Sequence, residues 1–138
     1  MNIVILGCSR TGAALATKLD RAGHSVTIID RSSEAFNRLE RDFRGKKVIG
    51  NGVDGDDLKR AGIETADAFA AVTNGDNRNI MASQLVKEIF RVKKVVCRIY
   101  DPLRAETYQG LGLEVFCPTV VITQLFIAAL LGSKQSAQ

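Results

Sequence analysis

The sequence predicts a doubly wound α/β domain: a parallel six-stranded sheet with helices on both faces, followed by an apolar helix at the C-terminus. Short β-branched runs alternate with longer segments of helical period along the whole chain. The runs are continuously apolar, which is typical of parallel strands that are buried on both faces. The length of 138 residues, with 46% apolar and 25% charged residues, fits one globular domain.

Six apolar runs mark the predicted strands, at residues 2–6, 26–30, 48–49, 68–72, 95–99 and 113–116. Between the runs, apolar side chains recur at helical spacing. The residues that mark these intervening helices are, in order, Leu15 and Leu19; Phe36, Leu39 and Phe43; Leu58 and Ala61; Met81, Leu85 and Ile89; and Pro102. Ser32 or Ser33 can cap the second of these helices.

The last helical segment differs from the others. Between residues 120 and 131 only Thr123 and Gln124 interrupt an apolar helix, and such a helix must be covered on every side. Association with another chain or domain is favoured, and packing within its own fold is the alternative. The predicted organisation is a nucleotide-binding domain at 1–118, a C-terminal helix at 119–132 and a disordered polar tail at 133–138.

A glycine-rich loop follows the first strand and opens the first helix. Its residues are Gly7, Cys8, Ser9, Arg10, Thr11 and Gly12. The spacing matches the G-x-G-x-x-G fingerprint of Rossmann domains, with serine at the middle glycine position. The free N–H groups of the helix then face a phosphate, and Arg10 adds a positive charge. Because Ser9 carries a Cβ, we expect a slightly displaced phosphate.

An acidic residue stands where a ribose would be held. Asp30 ends the second strand 18 residues after Gly12, close to the spacing of about 20 in dinucleotide-binding folds. A carboxylate there accepts both hydroxyls of an adenosine ribose and repels a 2′-phosphate, so NADP is disfavoured although Arg31 is adjacent. The sequence therefore predicts a site for an adenine nucleotide. The alternative is a Rossmann-like domain with an empty cleft.

Polar residues follow the other strands at the same carboxyl edge. These further candidates for the crevice are Asn51, Gly52, Val53, Thr73, Asn74, Asp76 and Arg98. Thr73 can donate to phosphate or ribose, whereas Asp76 is favoured as the cap of the helix that it precedes. Arg98 lies within a strand and needs a partner, either a ligand phosphate or a carboxylate.

Several function classes are excluded or disfavoured. The net charge of +4 is spread over two loose groups of basic residues and there is no Trp, which disfavours nucleic-acid binding. The three cysteines have no metal-ligand spacing, and no catalytic cluster is found; the only histidine, His24, lies far from the carboxyl edge. No secretory signal or apolar stretch of about 20 residues is found, so a cytoplasmic location is expected.

The chain resembles the KTN or RCK N-terminal domains, the Trk/Ktr-type regulatory domains of potassium transporters and channels. The motifs that carry the resemblance lie at residues 7–12, 26–30, 48–52, 61–63, 66–67, 71–73, 76–80 and 98–102, with Leu58 and the late Pro118. The resemblance covers about 130 residues, and the order of these pieces is more specific than the glycine loop. It implies a regulatory subunit without enzymatic activity, peripheral to the inner face of the cell membrane.

The resemblance also implies the ligand and the partners. Such domains bind NAD(H), ATP, ADP or AMP and pass the ligand state to a membrane-embedded potassium transporter or channel subunit. They dimerise through their C-terminal helices and can build an octameric ring. Ser9 and Asn51 depart from the family pattern, and Ser9 favours a mononucleotide. The alternatives are an NAD-dependent oxidoreductase fragment without its substrate domain, and a scaffold that binds no ligand.

Overall fold

The computed structural model describes residues 1–132 and contains one parallel sheet of six strands in the order β3-β2-β1-β4-β5-β6. The strands are β1 (Asn2–Leu6), β2 (Ser25–Asp30), β3 (Lys46–Ile49), β4 (Ala68–Ala71), β5 (Lys94–Arg98) and β6 (Glu114–Phe116). The α-helices are α1 (Arg10–Arg21), α2 (Gly55–Arg60), α3 (Asp76–Glu88), α4 (Pro102–Gly110) and α5 (Pro118–Leu131). This order is that of the doubly wound Rossmann sheet, and the predicted fold class is confirmed.

Two buried clusters cover the opposite faces of the sheet. Side chains alternate along β1, so that Ile5 packs on one face and Leu6 on the other. The first face is closed by α1 through Ala13 and Ala16, and the second by α3 through residues that include Val86. Because both faces are covered, the strands are apolar without alternation, which is the pattern seen in the sequence.

The segment after β2 differs from its prediction. The stripe of Phe36, Leu39 and Phe43 predicts an α-helix, but the structure has a 3-10 helix at Ser33–Arg38, and Leu39 is already extended (ψ 145°). All three side chains still pack against the cluster on the α1 face. A 3-10 helix followed by an extended segment therefore buries these three side chains. Tertiary packing overrides the α-helical preference that their spacing indicates. Ser32 occupies the cap position without a side-chain hydrogen bond.

The C-terminal helix α5 begins at Pro118 and ends at Leu131 before Gly132, whose φ of +73° terminates it. Within the described residues, Ala128 is its only buried side chain, and Phe126 and Leu130 are 62% and 81% exposed. No helix among residues 1–132 is long and apolar enough to cross a bilayer. The disordered tail predicted at 133–138 lies outside the described residues.

Candidate nucleotide-binding site

A crevice of about 720 Å³ opens at the carboxyl ends of the strands, beside β1 and β4. The chain leaves β1 towards β2 and reaches β4 from β3, so the crevice lies at the switch point of the sheet, where doubly wound folds bind ligands. Its walls are formed by Leu6, Gly7, Cys8, Ser9, Ile29, Asp30, Arg31, Ser32, Glu34, Ala35, Asn37, Arg38, Asn51, Gly52, Thr73, Asn74 and Arg78.

The two glycines of the loop are required by close backbone contacts. Gly7 has a φ of +103°, and a Cβ there would lie 2.8 Å from the backbone nitrogen of Thr73. A Cβ on Gly12 would overlap the carbonyl oxygen of Gly7. Glycine is therefore needed at the first position for the left-handed turn and at the last for the close approach of α1 to the loop.

Ser9 is the N-cap of α1 and occupies the middle position of the loop. Its hydroxyl donates to the carbonyl oxygen of Val72 (2.8 Å) and accepts from the N–H of Gly12 (3.1 Å). The N–H groups of Arg10 and Thr11 have no hydrogen-bond partner among the described residues. Two N–H groups at the positive end of the α1 dipole are thus available to an anion.

Asp30 connects the end of β2 to the glycine loop. Its carboxylate accepts from the N–H of Cys8 (2.8 Å) and from the N–H of Ser32 (2.9 Å). Each carboxylate oxygen keeps a further lone pair with which it can accept from a ribose hydroxyl. The Cys8 side chain points into the core, and burial together with the charge of Asp30 raises the pKa of its thiol to about 11. Cys8 therefore contributes backbone groups to the crevice, and its thiol is neutral.

The turn after β3 is held by hydrogen bonds of its own. The N–H of Asn51 donates to Asp57 (2.7 Å), and its side-chain oxygen accepts from the N–H of Val53 (3.1 Å). The Asn51 N–H and Arg60 lower the pKa of the Asp57 carboxyl. A Cβ on Gly52 would overlap the side chain of Leu6. Asn51 and Gly52 line the crevice, whereas Val53 packs against the core and does not.

Thr73 is fixed by the buried side chain of Asn79. The Asn79 oxygen accepts from the N–H of Thr73 (2.9 Å) and from its hydroxyl (2.6 Å), and its amide donates to the carbonyl oxygens of Thr73 (3.0 Å) and Arg98 (2.9 Å). The single hydroxyl hydrogen of Thr73 is therefore used within the fold. This differs from the expectation that Thr73 donates to phosphate or ribose, although Thr73 lines the crevice.

Arg98 is the last residue of β5 and is 8% exposed. Its guanidinium donates to the carbonyl oxygens of Val72 (2.7 Å) and Thr73 (3.1 Å) and to the hydroxyl of Thr11 (2.8 Å), and it stacks on Tyr100. The expected partner was a phosphate or a carboxylate; the structure instead pairs it with two carbonyls and a hydroxyl. Arg98 joins β4, β5 and the first turn of α1, but it does not line the crevice.

Asp76 does not cap α3 in the expected way. It is the first residue of that helix, and Gly75 occupies the cap position without a side chain. The Asp76 carboxylate accepts from the N–H groups of Tyr100 (2.7 Å) and Asp101 (3.1 Å). Asp76 therefore ties the start of α3 to the loop after β5. The reason is that this loop, and not the helix, brings free N–H groups within its reach.

The crevice brings together nine of the residues singled out in the sequence and leaves six outside its lining. Those that line it are Gly7, Cys8, Ser9, Asp30, Arg31, Asn51, Gly52, Thr73 and Asn74. Those that do not are Arg10, Thr11, Gly12, Val53, Asp76 and Arg98. Arg10 is exposed at the start of α1 and faces a separate groove beside Arg38 and Glu40.

Two arginines of the crevice were missed by the sequence reasoning. Arg38 ends the 3-10 helix and donates to the carbonyl oxygen of Cys8 (3.1 Å). Arg78 lies on the first turn of α3. Neither was singled out as a site residue. The usable signal was their position, because Arg38 lies eight residues after the end of β2 and Arg78 seven residues after the end of β4, and both strands flank β1 at the switch point.

The fold and the switch-point crevice define a Rossmann-type domain. Within residues 1–132, no cluster of three or more His, Cys, Asp or Glu residues could hold a metal ion. The model of one protein family, the TrkA-N domain, matches residues 3–119. The chain belongs to the TrkA-N domain family, and the resemblance stated from the sequence motifs is confirmed.

Relatives and solved structures agree with this assignment. The chain is 53% identical over 120 residues to the Trk system potassium uptake protein TrkA of Streptomyces coelicolor, covering 87% of this chain and 52% of that relative. The chain thus spans about half the length of the curated relative. The TrkA-N domain of the Escherichia coli inner membrane protein ybaL has a TM-score of 0.80 at 18% identity, covering 94% of this chain and 96% of that one. GsuK bound to ADP has a TM-score of 0.77 at 25% identity, covering 94% and 33%.

Proposed function

We propose that this chain is a nucleotide-sensing regulatory module of a potassium transport system. The observation that carries the proposal is the crevice, which is lined by Ser9, the N-cap residue directly before the free N–H groups of α1, and by Asp30. The first feature suits a phosphate and the second a ribose. Membership of the TrkA-N family and the similarity to a Trk potassium uptake protein supply the physiological context.

The ligand is an adenine nucleotide: NAD(H), ATP, ADP or AMP. The negative charge of Asp30 disfavours NADP, since a 2′-phosphate would lie beside a carboxylate. The similarity to GsuK, which is described as bound to ADP, supports an adenine nucleotide in this fold. A bound nucleotide can bias the membrane partner only through a difference in affinity for two arrangements of the subunits. The module thus acts by binding, without catalysis, at the cytoplasmic face of the membrane.

A titration followed by thermal unfolding tests the nucleotide proposal. A ligand at 100 times its dissociation constant should stabilise the fold by about 2.7 kcal/mol. We expect a rise in Tm with one or more of NAD⁺, NADH, ATP, ADP and AMP, and little change with NADPH. No rise with any of them would overturn the proposal and leave the domain as a scaffold.

Replacement of Asp30 tests the placement of the ribose. Asp30→Ala should raise the Kd of the stabilising nucleotide by about 10- to 100-fold, because polar groups of the ligand and of the loop lose a charged partner. Isothermal titration calorimetry measures the change. Glu106→Ala is the matched control, since Glu106 is an exposed carboxylate on α4 outside the crevice. An unchanged Kd in a folded Asp30→Ala protein would show that the ribose lies elsewhere.

The C-terminal helix is proposed to join two copies of the chain, the partner subunits of a homo-oligomer. Its apolar residues Leu125, Phe126 and Leu130 are 42%, 62% and 81% exposed, which is costly for a helix that remains in water. Phe126→Asp should convert a dimer to a monomer, measured by light scattering at matched concentrations. Met81→Asp, with a similarly exposed apolar residue on α3, is the control. A wild-type monomer would contradict this part of the proposal.

A further inference from the structure

Arg78 lies in the half of the crevice that is away from Asp30. The order of the strands places β1 and its glycine loop between the end of β2, which carries Asp30, and the end of β4. The segment after β4 leads into α3, whose first turn carries Arg78. An adenosine held at Asp30 therefore directs its phosphates over the loop and towards Arg78.

The guanidinium of Arg78 has no partner among the residues that the structure describes, so none of them holds it away from a ligand. It lies over Gly75, where a Cβ would be 3.6 Å from its Nε and Nη2. Among residues 1–132, Arg78 forms no hydrogen bond and no ion pair. The nearest acid in sequence, Asp76, is engaged elsewhere, since its carboxylate accepts from the N–H groups of Tyr100 and Asp101.

Arg78 differs from the other arginines that line the crevice in its position. Arg31 and Arg38 lie on the β2 side, next to the ribose position, and Arg38 is bonded to the carbonyl oxygen of Cys8. The lining residues on the β4 side are Thr73, Asn74 and Arg78, and Arg78 alone among them is charged. A ligand phosphate beyond the first, placed in this half of the crevice, would thus contact the unpaired guanidinium of Arg78.

Ser9 determines how the phosphates reach that cation. The Ser9 hydroxyl accepts from the N–H of Gly12 and donates to the carbonyl oxygen of Val72. The N–H groups of Arg10 and Thr11, at the start of α1, are then left for a first phosphate. The Cβ of Ser9 occupies space that the middle glycine leaves open in the fingerprint. Further phosphates would then lie in the half of the crevice that is lined by Thr73, Asn74 and Arg78.

We propose that Arg78 is a specificity-determining residue that binds the phosphates beyond the first, so that the crevice prefers nucleoside di- and triphosphates to AMP. A planar guanidinium can bind two phosphate oxygens at once, which gives both strength and geometric selectivity. This inference rests on the proposed nucleotide site and assigns it a class of ligand. Among residues 1–132, the Arg78 side chain forms no hydrogen bond that stabilises the glycine-rich loop.

Calorimetric titration of ATP, ADP and AMP into the wild type and two variants tests the proposal. In the wild type, ATP and ADP should bind more tightly than AMP. Arg78→Gln should weaken ATP and ADP by about 10-fold, as expected for loss of a charge-assisted contact, and should change AMP by less than twofold. Arg41→Gln removes the same charge from an exposed residue outside the crevice and should change none of the three.

The outcomes separate this inference from the proposed function. If neither these three nucleotides nor NAD(H) binds the wild type, the nucleotide site itself is wrong and the assignment of Arg78 falls with it. If NAD(H) alone binds, only the assignment of Arg78 is overturned. If nucleotides bind but Arg78→Gln leaves the ratio of ATP to AMP affinity unchanged, only the assignment of Arg78 is overturned. An equal loss for all three nucleotides has the same meaning. Thermal unfolding of the ligand-free variants verifies that they fold.

Discussion

Gly12→Ala is expected to lower the free energy of unfolding by about 3 kcal/mol, near the upper end of the usual effect of overpacking. The added Cβ would overlap the carbonyl oxygen of Gly7 and press on Val72, and backbone atoms cannot move aside as a flexible side chain can. To relieve the overlap, α1 would have to move away from the loop. Nucleotide affinity should fall as well, since the free N–H groups of α1 would shift.

Gly110→Ala provides the matched control for this prediction. Gly110 is the last residue of α4, and a Cβ there would contact nothing within 4 Å. Because alanine favours a helix over glycine, this variant should be as stable as the wild type or more stable by less than about 1 kcal/mol. Urea unfolding followed by circular dichroism measures both variants. Equal stability of Gly12→Ala and Gly110→Ala would contradict the close approach of α1 to the loop.

Asn79→Ala is the second substitution with a large expected effect, a loss of about 3 kcal/mol in the free energy of unfolding. Asn79 is fully buried, and its side chain makes four hydrogen bonds to Thr73 and Arg98. Its removal would leave the buried N–H of Thr73 without its acceptor, and the Thr73 hydroxyl with only the more distant carbonyl oxygen of Gly75 (3.2 Å). Since Thr73 lines the crevice, nucleotide affinity should also decrease in protein that remains folded.

Asn77→Ala, two residues away on the same helix, is the control for Asn79→Ala. Asn77 is exposed, and its side-chain oxygen has one hydrogen bond, from Arg104 at 3.2 Å. Exposed substitutions of this kind usually change stability by less than about 0.5 kcal/mol. Chemical unfolding of the two variants in parallel tests the difference. A similar small effect for both would mean that the Asn79 network contributes little to the fold.

The sequence predicted most of the fold because its strongest signals are local. The six strands and the helices before β2, β4, β5 and β6 are found within a few residues of the predicted positions. The exception is the segment with Phe36, Leu39 and Phe43, which has a helical period but forms a 3-10 helix and an extended turn. Periodicity reports which side chains are buried, and it does not distinguish two backbone paths that bury the same side chains.

The candidate site was predicted in part, and its prediction still awaits a binding measurement. The glycine loop and Asp30 were found because their spacing along the chain follows from a fixed strand–loop–helix–strand unit. The crevice does bring Ser9, Asp30, Asn51 and Thr73 to one edge of the sheet. Arg78 was missed because its residue type resembles that of the solvated arginines of other helices, and only its position after β4 distinguishes it.

The sequence by itself determined the fold class, the family and the position of the glycine-rich loop, since each depends on residue type and spacing along a continuous segment. Tertiary structure alone decided which polar groups pair with one another. Arg98 donates to carbonyl oxygens and to the Thr11 hydroxyl, and Asp76 accepts from the loop after β5. Arg78 has no partner among residues 1–132. The physical reason is that these contacts join residues distant in sequence, and a hydrogen bond depends on tenths of an ångström that no spacing rule specifies.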